Sequence, residues 1–80
     1  MITKVKVTQF HINTGEKEDC HSCPVALALS ETFPEYVFEV HRNDITINGE
    51  YWEMLTSIRV FIDAFDKELE VEPVEFEIDI

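Results

Sequence analysis

Along this chain the alternation of apolar and polar residues changes period in a readable order. Thr3-Lys4-Val5-Lys6-Val7-Thr8 alternates with a period of two, which predicts a strand with Val5 and Val7 inward and Lys4 and Lys6 outward. At the far end Val74, Phe76, Ile78 and Ile80 alternate with Glu75, Glu77 and Asp79, a strand whose outer face is a row of carboxylates. Between these strands the period lengthens twice. Pro24 opens Val25-Ala26-Leu27-Ala28-Leu29-Ser30-Glu31, where good helix formers dominate and Val25, Leu29 and Phe33 fall four apart. A short helix is expected there, closed before Pro34. From Met54 onward, Leu55, Ile58, Phe61, Ile62 and Phe65 form the stripe of an amphipathic helix, with Asp63 and Lys67 at the spacing of a favourable ion pair.

The middle of the chain is β-branched and aromatic. Tyr36-Val37-Phe38-Glu39-Val40-His41 predicts a strand, and Asn43-Asp44 a turn into Ile45-Thr46-Ile47, so the two make a hairpin. Asn48-Gly49 is a second turn signal, followed by Glu50-Tyr51-Trp52. Asn13 to Asp19 is polar and reads as a loop. The order is β-α-β-β-α-β, an α+β fold of the ferredoxin-like, two-layer sandwich kind, with room for an extra short strand near residues 50–53. In that topology residues 74–80 pair antiparallel with residues 3–8, and both helices cover one sheet face. Lys4 and Lys6 then stand beside Glu75, Glu77 and Asp79, a mildly stabilising juxtaposition. Residues 1–80 read as a single domain, with no repeat or linker.

A chain of 80 residues buries only about 60–65% of its unfolded surface, so its core must be used efficiently or completed by a homodimer contact. With 45% hydrophobic residues and six Phe it has the material. No run of ~18 apolar residues suggests a transmembrane helix. The alternating N-terminus differs from the apolar block of a signal peptide, so the expected compartment is the cytoplasm.

Charge narrows the partners. Seventeen Asp and Glu stand against six Lys and Arg, a formal net charge of -11. Such an excess disfavours nucleic acid and anionic membranes and favours a basic partner. The same surplus also serves to keep a small domain soluble and monomeric. Glu75, Glu77 and Asp79 are the candidate docking residues. Tyr51 and Trp52, directly after the Asn48-Gly49 turn, are either interface anchors or the lid of a small core.

Chemistry concentrates at His11-x8-Cys20-His21-x-Cys23-Pro24. Thiolate and imidazole suit tetrahedral zinc, so Cys20, Cys23 and His11 are candidate metal ligands, with the distant His41 needed to complete the set. No second ligand pair follows, and a metal required for folding is not expected. A redox site needs a thiol lowered by a helix N-terminus, but Pro24 puts the helix start after the second cysteine, and Glu16, Glu18 and Asp19 oppose thiolate formation. The plainest reading has Cys23 capping or packing under the first helix and Cys20 in the loop. No cofactor is implied. With Gly15 and Gly49 the only glycines, there is no phosphate loop or nucleophile elbow. Glu31, Glu39, His41, Arg42 and Asp44 are acid-base candidates that ordinary surface charge explains equally well, so an enzyme is not expected.

His11-Ile12-x-x-Gly15-x4-Cys20-x-x-Cys23-Pro24-Val25-Ala26-Leu27-Ala28-Leu29 resembles a family of short bacteriophage and prophage proteins. These share an Ile-x-x-Gly turn, a Cys-x-x-Cys-Pro-Val-Ala-Leu-Ala segment, and later a helix with Ala-Phe-Asp followed by an acidic-aromatic strand. Here the later elements are Phe61-Ile62-Asp63-Ala64-Phe65-Asp66 and Val71-Glu72-Pro73-Val74-Glu75-Phe76-Glu77. The resemblance implies a phage accessory protein in a bacterial host. The leading expectation is a non-enzymatic inhibitor that lays its acidic surface on a basic active site or nucleotide-binding cleft of a host defence protein, with electrostatic steering of the encounter. A competing expectation is a sponge that sequesters a nucleotide immune signal on Arg42, Arg59, Lys4 or Lys6. A small zinc-binding module is a third.

Overall fold

The computed structural model describes residues 2–41 and 44–79. In chain order these form β1 (Ile2–Val7), α1 (Gln9–Thr14), α2 (Pro24–Thr32), β2 (Phe38–Val40), β3 (Asp44–Ile47), β4 (Glu50–Glu53), α3 (Thr56–Asp66) and β5 (Val74–Asp79). The fold is α+β, as the periodicities predict. Of the expected turn and last strand, Asn43 and Ile80 lie outside the described residues.

β1 and β5 pair antiparallel over their whole length, from Ile2 opposite Asp79 to Val7 opposite Val74. Val5 and Val7 are fully buried and Phe76 nearly so, while Lys4, Lys6, Glu75, Glu77 and Asp79 face outward. The expected antiparallel pairing of the last strand with the first therefore forms.

The ferredoxin-like arrangement is realised only in part, because the strands divide into two sheets, β1-β5 and β2-β3-β4. In a single split βαβ sheet the first strand would lie against the second strand of the central hairpin. Here both edges of β3 are taken, by β2 and by β4. The turn at Asn48 (φ 51°) and Gly49 (φ 87°) has the two positive φ angles of a type I′ hairpin, which folds β4 onto the edge that β1 would need. The outer edge of β2 is occupied as well, since Val40 N donates to Cys20 O at 2.8 Å.

One apolar core serves both sheets. α2 contacts β1, β2 and α1, and buries Val25, Ala26, Ala28 and Leu29. Because small and branched apolar residues occupy most of its circumference, it behaves as a central helix and not a surface one. α3 adds Ile58, Phe61 and Ile62, and Met54 closes the end. The Asp63–Lys67 pair forms at 3.0 Å. Leu55 lies outside α3 and is half exposed, so the expected stripe begins one turn later.

The polar loop expected from Asn13 starts two residues later, because α1 runs through Thr14. Thr8 caps it: its side chain accepts from His11 N, while His11 Nδ1 accepts from Thr8 N at 3.0 Å. This is a capping box with histidine in the place usually held by Glu or Gln. Gly15 ends the helix where an added Cβ would come 2.7 Å from Pro24 Cδ and 2.8 Å from His11 O. Only glycine lets α1 and the start of α2 approach this closely.

Candidate functional sites

The segment from Gly15 to Pro24 is held at several points. Glu16 N bonds to Ser22 O, Glu18 N to Asp66 Oδ1, and Asp19 Oδ1 accepts from both His21 N and Ser22 N. Such an Asx turn fixes the backbone around Cys20. Cys23 is the N-cap of α2, with its Sγ accepting from Ala26 N at 3.4 Å and Pro24 following at the first helical position. This agrees with the packing reading of that thiol.

The candidate set Cys20, Cys23 and His11 does not come together. His11 is buried, and both ring nitrogens are engaged: Nδ1 accepts from Thr8, so the proton sits on Nε2, which donates to Glu31 Oε2 at 2.7 Å. Cys23 is turned under α2. Instead, ligand atoms of Cys20, His21 and Glu39 all lie within 4.8 Å of one another. His21 stands beside Cys20 in sequence, and Glu39 is the middle residue of β2. Nothing local joins the two segments; the Val40–Cys20 backbone bond does.

Burial pushes the Cys23 thiol above its ordinary value of 9.0; the Ala26 and Val25 amides pull it partly back, and the Asp66 and Asp19 carboxylates push it up again. Cys20 is expected to alkylate well before Cys23 when the folded protein meets a short pulse of iodoacetamide, read by peptide mass spectrometry. Equal rates would contradict the capping role. The sign of the pH effect follows. The unfolded chain releases the Cys23 proton first, so stability from this group is fully present below about pH 9 and is lost as pH rises toward the raised folded value. Urea unfolding should show wild type losing stability against Cys23→Ser over that alkaline window.

The outward face of β1-β5 holds Glu75, Glu77 and Asp79, with Lys6 opposite Glu75 and Lys4 opposite Glu77. Lys4 Nζ also reaches Glu75 Oε1 at 3.7 Å. Three carboxylates against two ammonium groups leave a small local excess, so the row is less acidic than its sequence suggests. Lys4 and Lys6 face carboxylates and not an anion cradle. Arg59 lies exposed on α3, and Arg42 lies outside the described residues. Tyr51 and Trp52 part company on β4: Tyr51 is 79% exposed, whereas Trp52 packs against the core.

Sequence reasoning missed the surface around residues 69–74. α3 ends in a Schellman motif, with Glu68 N bonded to Phe65 O and Leu69 N to Ala64 O, and Glu68 in the left-handed region at φ 61°. The chain then runs back beside the helix and leaves a cleft on each side. One, about 530 Å³, is floored by Val60, Phe61, Val71 and Val74; the other, about 440 Å³, by Ile12, Phe65 and Val71. Glu70 borders both, and Glu72 the first. Lys17 holds Glu68 at 2.9 Å, but Glu70 and Glu72 have no ion pair among the described residues. Val60 and Leu69 beside them are 63% and 59% exposed.

Comparison with protein-family models, with curated proteins and with solved structures found no match. Among the described residues no helix is long and apolar enough to cross a membrane.

Proposed function

We propose that this protein works by binding, as a non-enzymatic inhibitor that sets an acidic surface on a basic cleft of a partner protein. The phage resemblance makes that partner a bacterial anti-phage defence protein. The observation that carries this reading is the pair of partly apolar clefts, both bordered by Glu70 and the first also by Glu72, carboxylates without an ion pair among the described residues, with Val60 and Leu69 exposed alongside. Exposed apolar side chains supply contact area, and the carboxylates beside them select the Lys- or Arg-rich rim of the partner's cleft. Glu75, Glu77 and Asp79 follow directly in β5 and extend the acidic ribbon, as steering charge more than as the contact itself.

The test is kinetic. A pull-down from a defence-bearing host names the target, and association is then measured for Glu70→Lys/Glu72→Lys and for Glu75→Lys/Glu77→Lys/Asp79→Lys. The first variant is expected to lower affinity by about tenfold or more, since it touches the contact. The second should slow association with less effect on dissociation, and wild-type association should weaken as salt rises toward about 0.5 M. Wild-type rates in both variants, with binding insensitive to salt, would remove the acidic surface from the mechanism.

A further inference from the structure

We infer that Cys20, His21 and Glu39 form a binding site for a thiophilic divalent cation of the zinc class, on the outer side of β2 and apart from the clefts around residues 69–74. The three donors are a sulfur, an imidazole nitrogen and a carboxylate oxygen, and all lie within 4.8 Å of one another. Tetrahedral zinc, with bonds of about 2.0–2.3 Å, brings its ligand atoms to about 3.3–3.7 Å apart, so modest side-chain rotation closes the set. Three protein ligands leave the fourth position to water, the pattern of accessible and not of closed structural zinc sites. Sulfur and imidazole donors select zinc or cobalt over magnesium and calcium, which take oxygen.

The backbone holds these donors in place without the ion. Val40 N to Cys20 O ties the loop to β2 between Glu39 and His41, and the Asp19 turn sets His21 and Ser22. His41 Nε2 stands 3.9 Å from Glu39 Oε1, near enough to approach the carboxylate as an outer partner. Charge favours a dication as well, because Glu18, Asp19 and Asp66 line the adjoining cleft of about 310 Å³ that Cys20 borders. A further polar group lies on this face. Thr46, directly opposite Glu39 across the ladder, is buried, and its Oγ1 has no hydrogen-bond partner among the described residues. Paired residues present their side chains on the same side of a sheet, so that hydroxyl stands beside Glu39.

Binding replaces the Cys20 S–H bond with a sulfur–metal bond and releases the proton to solvent, with no redox step. The experiment titrates the full chain, stripped by chelator, with Zn²⁺ by calorimetry and with Co²⁺ by absorption spectroscopy. One equivalent should bind, with proton release and a near-ultraviolet thiolate-to-cobalt band. Cys20→Ser should abolish the band. His21→Ala and Glu39→Gln should each weaken Zn²⁺ by more than the about tenfold typical of losing an outer partner. Cys23→Ser should keep the band, since serine also caps a helix. Lack of the band in wild type, its survival in Cys20→Ser, or its loss in a folded Cys23→Ser would each overturn the assignment.

Discussion

Replacing Leu29 by alanine is expected to cost about 3–5 kcal/mol, enough to leave much of the protein unfolded at physiological temperature. Leu29 is fully buried at the centre of α2, the helix that touches both β1 and β2. Truncation removes apolar contact and leaves a cavity in a close-packed core that relaxes only in part. A domain of 80 residues has a total stability of about 4–12 kcal/mol, so the loss is a large fraction of it. Circular dichroism during heating should show Tm falling by more than about 12 °C. A fall of only a few degrees would mean that α2 is not the shared centre of the core.

His11→Ala is expected to cost about 2–4 kcal/mol, and to do so whether or not a chelator is present. The change removes the acceptor for Thr8 N, dissolves the reciprocal cap of α1, and empties a buried site beside α2. Glu31→Gln makes the informative comparison. Its carboxylate is 71% exposed, and the amide oxygen still accepts from Nε2, so less than about 1 kcal/mol should be lost. Urea unfolding of the three proteins with and without EDTA distinguishes a structural histidine from a ligand. Wild-type stability in His11→Ala, or a loss that appears only when metal is supplied, would contradict the buried-network reading.

Several elements are legible because their cause is local. A period of two over residues 3–8 and 74–79 predicts both strands of the outer sheet and which side chains share a face, the lysines on one strand and the carboxylates on the other. Pro24 with four-residue spacing predicts α2, and Asn48-Gly49 predicts a hairpin because two adjacent residues tolerate positive φ. α1 escapes the same reasoning. Its six residues are too few to show a helical stripe, and its capping box uses His11 where the familiar pattern has an acid or amide.

By itself the amino-acid sequence determined the α+β class, the two strands of the outer sheet and the helix that Pro24 opens. Each depends on side-chain alternation or on the φ preferences of neighbouring residues. Tertiary structure alone decided which sheet each strand joins, because β4 competes with β1 for one edge of β3 and only the folded chain shows the winner. It also decided that His11 belongs to Thr8 and Glu31 while Cys20 and His21 meet Glu39. That meeting depends on one backbone hydrogen bond between a loop and a strand edge, and residue spacing carries no record of such a contact.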